Sequence, residues 1–180
     1  IAVSYLGECI DGCWQQLERA RALEDRSRPT LLTLRPTALA AQFAIAEGHV
    51  DDAKVLLHEI VDWAIERGED SDLPLLLANF AALEWYRGDG EECGRRAEQA
   101  ITLCLQIGNE TVLGPALGYR AQRHIFRGEV AEARATLAEA RVVVERVGYL
   151  MGGLALTNVL VSLEMALGDF AAAELAIGPI

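Results

Sequence analysis

The residues of this chain that could do chemistry are few and lie far apart. Cys9 and Cys13 are one helical turn apart and could in principle bind zinc, but a structural zinc site needs four ligands at recognised spacing. The three histidines, His49, His58 and His124, form no His-Glu-x-x-His motif and have no nucleophile near them in sequence. We therefore expect no catalytic residues, no metal and no cofactor, and we expect that the chain is not an enzyme.

The charged residues likewise indicate no catalytic or nucleotide-binding site. The pairs Asp51-Asp52 and Glu91-Glu92 lie where helices are predicted to begin, so capping and solvation account for them before acid–base chemistry does. The single lysine, Lys54, belongs to no Gly-x4-Gly-Lys-Ser/Thr motif. A nucleotide site is therefore not expected.

Composition favours packed helices. The chain has 180 residues, of which 52% are hydrophobic, mostly alanine and leucine, and only 6% are aromatic. A net charge of −11 disfavours nucleic-acid binding, and apolar runs such as 73–77 are far too short to cross a membrane.

A cytoplasmic location with reduced thiols is expected. The sequence shows no signal peptide at its start, and its four cysteines lack the spacing of a disulfide framework.

Glycines divide the chain at a fixed interval. Two series keep a 40-residue spacing, and the second lies midway between members of the first: Gly48, Gly88, Gly128 and Gly168, then Gly68, Gly108 and Gly148. Because glycine readily adopts the left-handed conformation that ends a helix, each period should hold two helices. Helix A is predicted at about 36–47, 73–87, 112–127 and 150–167. Helix B is predicted at about 50–67, 90–107 and 130–147, with copies at 9–26 and from 169.

Local signals support these boundaries. Asp89 and Asp169 are expected to cap B helices, and Pro36, Pro74 and Pro115 lie near the predicted starts of A helices. The segment 27–35 is predicted as a linker, although its leucines at 31, 32 and 34 could extend the next helix backwards. We expect one repeat domain over 1–180, a piece of a longer protein, with units near 1–28, 29–68, 69–108, 109–148 and 149–180.

Small residues recur within the B helices at the same interval. The first column is Cys13, Ala53, Cys93, Ala133 and Ala173, and it predicts close helix contacts. Positions four and seven residues further on are also apolar, which places all three columns on one helical face.

The turn between helices resembles the tetratricopeptide signature at Gly128, Glu129, Val130, Ala133 and Ala140. The resemblance implies a right-handed α-solenoid of antiparallel helix pairs. Two features depart from that family: the period is 40 rather than 34, and the usual aromatic position of helix A holds Ala44, Glu84, His124 and Glu164.

The long period and the arginine-rich B helices, as in 17–23 and 131–137, resemble the repeat region of large LuxR-family ATP-binding transcriptional regulators. This resemblance implies a sensory or interaction region between a nucleotide-binding domain and a DNA-binding domain, neither of which is encoded here. Its partner would be a protein or a small-molecule effector in the concave groove. The alternative is a stand-alone adaptor that clamps an extended peptide, for which Arg35, Arg120 and Arg123 are available.

The tetratricopeptide register also implies which residues line that groove. They are Arg35, Gln42, Trp85, Tyr86, Gln122, Phe126, Asn158 and Ser162. Trp85 and Phe126 could instead close the core between units.

The repeat phase leaves both end units incomplete, and both ends are apolar. The residues concerned are Phe170, Leu175, Ile177 and Ile180 at one end and Ile1, Val3, Tyr5, Leu6 and Ile10 at the other. We therefore expect a symmetric homodimer that covers a terminal face.

Overall fold

The computed structural model describes residues 12–27, 30–69 and 71–178, and every regular element in these ranges is a helix. No strand occurs there, which confirms the all-α prediction for the part of the chain described. The helices are α1 (Cys13–Ala22), α2 (Pro36–Ala46), α3 (Val50–Arg67), α4 (Leu73–Tyr86), α5 (Gly90–Ile107), α6 (Glu110–Arg127), α7 (Val130–Val147), α8 (Leu150–Ala166) and α9 (Phe170–Ile177), with a 3₁₀ helix at Leu32–Leu34.

The chain divides into two compact units, Ile1–Leu76 and Leu77–Ile180. In the first unit α2 packs against α1 and α3. In the second unit α6 packs against α5, α7 and α8, and α8 packs against α9. Helices that follow each other along the chain are thus neighbours in space within each unit.

All seven glycines of the two series separate helices, as predicted. Each has a positive φ, for example 79° at Gly48 and 71° at Gly128. After six of the seven glycines the next residue donates its N–H to the carbonyl five residues earlier, as from Asp89 to Glu84 at 2.9 Å and from Glu129 to His124 at 2.9 Å. At the seventh, the N–H of Gly148 itself donates to the carbonyl of Val144 at 2.9 Å. These bonds satisfy carbonyls that a helix end would otherwise leave without partners.

Two aspartates cap the N-termini of B helices at the positions that the sequence predicts. The Asp89 carboxylate accepts from the N–H of Glu92 at 3.0 Å, and the Asp169 carboxylate accepts from the N–H of Ala172 at 3.0 Å. Both predicted caps are confirmed.

α6 starts earlier than predicted because Asn109 caps its N-terminus. Its side chain accepts from the N–H of Val112 at 3.3 Å, and the helix begins at Glu110. Pro115 therefore lies inside α6 rather than near its start. A proline has no N–H, so the carbonyl of Thr111 has no partner in the helix ladder.

The segment before α2 also corrects the prediction. α1 ends at Ala22 and not near residue 26, while residues 9–11 lie outside the described ranges. The leucines at 31, 32 and 34 do not extend α2 backwards, because Arg35 is extended, with φ −68° and ψ 144°. The residue before a proline is disfavoured from the helical conformation, so Pro36 begins the helix.

The small-residue column is buried in the B helices. Ala53, Cys93 and Ala133 are fully buried and Ala173 is nearly so, whereas Cys13 is half-buried. This confirms the predicted buried face of α3, α5 and α7.

Candidate functional site

Three aromatic side chains of the second unit come together where α4 ends, and we call them the aromatic platform: Trp85, Tyr86 and Tyr119. The rings of Trp85 and Tyr86 are stacked, with centroids 5.3 Å apart and an interplanar angle of 14°. Tyr119, on α6, lies with its ring 6.2 Å from that of Trp85. Tyr86 is 60% exposed, so its phenol ring reaches solvent while it is stacked on the ring of Trp85.

Trp85 is the packed part of the platform. It lies half-buried against a core cluster of Ala81, Cys93 and Ala97. It also packs against a second cluster, which contains Ala121, Ala133, Leu137, Val159 and Leu163. Trp85 therefore joins two parts of the core, and its ring cannot move without disturbing them.

Tyr119 was missed by the sequence analysis. Burial raises the pKa of its hydroxyl group well above the usual value. Its spacing could have revealed it, since Tyr119, Gln122 and Phe126 are three and four residues apart on one helical face.

The other residues predicted in the second unit have mixed environments. Phe126 is 46% exposed and packs over Gly90, where an added methyl group would lie within 2.7 Å of its Cβ. Asn158 is exposed and Ser162 is half-buried. Gln122 is only 3% exposed, so its prediction as a groove residue is corrected: the side chain lies in the interior.

In the first unit, Gln42 is exposed but Arg35 is not. The Arg35 guanidinium lies 4.2 Å from the centre of the Trp63 ring and 3.6 Å from a carboxylate oxygen of Glu24, and the residue is 2% exposed. Glu24 also accepts from the hydroxyl of Thr37 at 2.6 Å. Arg35 thus fixes the start of α2 and is removed from the predicted groove.

A cleft in the first unit was also not predicted. It has a volume of about 450 Å³ and is lined by residues of α1 and α3 and by the turn before α3, among them Trp14, Glu18, Arg21, His49 and Asp52. The Trp14 ring stacks on His49 with centroids 6.2 Å apart, and its indole N–H donates to Glu47. The cleft residues of α1 lie at least 28 positions from those before and within α3, so no local pattern indicates it.

The acidic pair in α5 is held ionised by arginines. The hydrogen bond from Arg95 lowers the pKa of Glu92 to about 2, and Arg96 adds to this effect. Arg127 lowers the pKa of Glu91. These ion pairs join the start of α5 to its own first turns and to the end of α6.

The buried thiols and the histidine have structural surroundings. Burial raises the pKa of Cys93 to about 12 and that of Cys104 to about 11, so both are protonated at neutral pH and are poor nucleophiles. His124 is half-buried, and its Nδ1 lies 2.7 Å from an oxygen of Glu129, which gives it a partner within the same turn.

Two glutamates at the position where the tetratricopeptide signature has an aromatic residue are buried. The Glu84 side chain is fully covered and lies 3.3 Å from Arg87. Glu164 is 4% exposed and pairs with both terminal nitrogens of Arg134, at 2.8 and 3.0 Å. Ion pairs therefore occupy the place of apolar packing at these helix ends.

Within the described ranges no three His, Cys, Asp or Glu side chains form a group that could hold a metal ion. No described helix is both long and apolar enough to cross a membrane. The chain matches no protein-family model, and no curated protein is significantly similar to it in sequence.

Proposed function

We propose that this chain is a binding scaffold built from tetratricopeptide-type helix pairs, arranged antiparallel in a right-handed solenoid, and that it has no catalytic activity. Its partner is a protein or a small-molecule effector that contacts the exposed side of the A helices. The observation that carries the proposal is the aromatic platform. There an exposed tyrosine at the end of an A helix is held in place by a tryptophan that is fixed in the core.

A rigid exposed aromatic side chain favours recognition for a physical reason. Tyrosine offers a large apolar surface and a hydroxyl group, and it loses little conformational entropy on binding when its ring is already fixed. Residues of this kind carry a large share of the binding energy in protein interfaces. Tyr86 is therefore the centre of the proposed surface, with Phe126, Asn158 and Ser162 as further candidates on later A helices.

We further propose that the scaffold is the sensory or interaction region of a cytoplasmic bacterial transcriptional regulator of the LuxR family. The repeat period and the arginine-rich B helices support this setting. The net charge of −11 would repel DNA, so contact with DNA is assigned to another domain. Such a regulator also has a nucleotide-binding domain and a helix-turn-helix domain. The sequence of the gene that encodes this segment tests whether both are present.

The alternative, an adaptor that clamps the carboxylates of an extended peptide, has less support. Its three arginines already have acidic partners: Arg35 with Glu24 at 3.6 Å, Arg120 with Glu139 at 2.8 Å, and Arg123 with Glu91 at 3.2 Å. A peptide carboxylate would have to displace these partners.

The proposed surface is tested by crosslinking from position 86. A photoreactive phenylalanine analogue at that position should capture a partner or effector in cells, whereas the same analogue at Leu105, which is 67% exposed on α5, should not. With the captured partner in hand, Tyr86→Ala should weaken binding by about tenfold, or about 1.4 kcal/mol, because an interface aromatic is lost. The control Leu105→Ala should bind like the parent chain.

Two outcomes would contradict the proposal. Equal capture from positions 86 and 105 would show that the platform is not a specific surface. Unchanged affinity in Tyr86→Ala would show that the partner binds elsewhere. The regulator setting fails separately if the encoding gene has no phosphate-binding loop before this segment and no helix-turn-helix after it.

A further inference from the structure

The cleft in the first unit lies between two successive B helices, α1 and α3. Its volume of about 450 Å³ is within the range of sites that bind small ligands. Leu56 contributes apolar surface to it, and Trp14 contributes an indole ring that meets Phe43 of α2 edge-on, with centroids 6.3 Å apart. Because its lining residues come from α1, α3 and the turn before α3, the cleft lies between helices of the repeat and is not an end face.

Two carboxylates of the cleft have no partner. Glu18 on α1 and Asp52 on α3 both line it and both are exposed. Neither carboxylate forms a hydrogen bond or an ion pair with a residue in the described ranges. Arg21, which also lines the cleft, is already paired with Glu59 at 3.5 Å. The cleft therefore has an excess of negative charge, which favours a cationic ligand.

The second unit shows which cation fits between neighbouring B helices. There the guanidinium of Arg120, on α6, lies 3.9 Å from Glu98 on α5 and 2.8 Å from Glu139 on α7. One arginine of an A helix thus joins carboxylates of two successive B helices. Both acidic positions recur two 40-residue periods earlier, where they are Glu18 and Glu59.

The arginine does not recur with them. The position on α2 that is equivalent to that arginine holds Ala40, which has no hydrogen-bonding group in its side chain. Glu59 has other partners, because it accepts hydrogen bonds from Arg21 and Arg26. Glu18 has no such replacement. The first unit therefore keeps the acceptor of an arginine side chain and lacks the arginine.

We propose that the cleft between α1 and α3 binds a guanidinium group, either from an arginine side chain of a partner protein or from a free guanidinium compound. The group donates hydrogen bonds to the carboxylates of Glu18 and Asp52 and lies against the Trp14 ring. A guanidinium suits this arrangement because it is planar and has five N–H donors, so that it can contact two carboxylates and an aromatic ring at once. The proposal does not depend on the platform at Tyr86, which belongs to the other unit.

An NMR titration of the 180-residue chain with argininamide tests the proposal. Leucinamide is the control ligand, because it has the same ammonium and amide groups and no guanidinium. Argininamide should shift the indole N–H signal of Trp14, which is identified by its loss in Trp14→Phe. The expected dissociation constant is on the order of 1 mM, and that of leucinamide should be higher by about tenfold or more.

Variants of the two carboxylates locate the site. Glu18→Gln and Asp52→Asn should each raise the dissociation constant of argininamide by about fivefold or more, because each removes a charged acceptor. The matched control is Glu66→Gln, since Glu66 is exposed on α3, lies outside the cleft lining and has no partner in the described ranges. It removes the same charge and should bind argininamide like the parent chain. All three side chains are exposed, so circular dichroism should show unchanged helix content.

A blocked peptide with one central arginine distinguishes the two sources of the group. Tighter binding of the peptide than of argininamide supports a partner protein, and tighter binding of argininamide supports a free compound. The proposal is overturned if argininamide and leucinamide bind equally. It is also overturned if Glu66→Gln weakens binding as much as Glu18→Gln does, because the overall charge of the chain then accounts for the binding.

Discussion

At the scale of single residues, glycines inside helices decide how closely α5 and α6 approach. A methyl group added at Gly94 would lie 2.9 Å from both Cβ and Cγ of Arg123, which is closer than carbon atoms pack. The atoms nearest the backbone of Arg123 cannot move away unless α6 moves. Gly94 is therefore required for packing and not for backbone flexibility.

We predict that Gly94→Ala destabilises the protein, although alanine is the better helix former. Overpacking should lower the free energy of unfolding by about 1–3 kcal/mol, measured by urea denaturation. Gly118→Ala is the matched control, because a methyl there would lie 3.6 Å from Leu156, an ordinary contact. That variant should be stabilised by up to about 1 kcal/mol through helix propensity. Similar midpoints for the two variants would show that the contact between α5 and α6 adapts freely.

At the scale of helices, a buried carboxylate joins α7 to α8. Both oxygens of Glu164 accept from Arg134, and the arginine side chain remains half exposed. The carboxylate is thus shielded from water while its partner is not. Removal of the partner alone would leave a buried charge without its main hydrogen bonds.

We predict that Arg134→Met lowers the free energy of unfolding by about 1–3 kcal/mol, since Glu164 then loses both hydrogen bonds. The double variant Arg134→Met with Glu164→Leu should recover most of this loss, because two apolar groups replace the pair. Arg141→Met serves as the control. It breaks an exposed pair with Glu145 on the same helix and should leave the midpoint unchanged. If the double variant is as unstable as the single one, the ion pair itself and not the unpaired carboxylate determines stability.

At the scale of the whole molecule, the net charge of −11 makes acidic groups repel one another within the folded chain. Dissolved salt screens this repulsion, and the Debye length falls from about 10 Å at 0.1 M to about 3 Å at 1 M. Surface ion pairs weaken under the same conditions. The salt dependence of stability therefore shows which of the two effects is larger.

We predict that raising NaCl from about 0.05 M to about 0.5 M raises the free energy of unfolding, because screening weakens the repulsion among the excess acidic groups that the folded chain holds close together. Urea denaturation at the two salt concentrations measures this change. A lower free energy of unfolding at high salt would mean that the ion pairs, which salt also weakens, outweigh the repulsion.

The sequence by itself determined the local structure of this protein. Helix ends depend on the conformation of one or two residues, so the glycines at a 40-residue interval predicted seven breaks between helices, and Asp89 and Asp169 were predicted as caps. The buried face of the B helices also followed from sequence, because small residues such as Ala53 and Ala133 repeat on one side of each helix. These features depend on neighbours along the chain.

Only the tertiary structure decided which polar and aromatic residues of the A helices reach solvent. The register placed Arg35, Gln122 and Tyr86 in the same predicted groove, yet the first two are 2% and 3% exposed and the third is 60% exposed. Arg35 is buried because Trp63 and Glu24 lie next to it in space, 28 and 11 residues away in sequence. The exposure of a side chain depends on how closely neighbouring helices approach it and on whether it finds a partner on those helices. The spacing of residues along one helix gives no information about either.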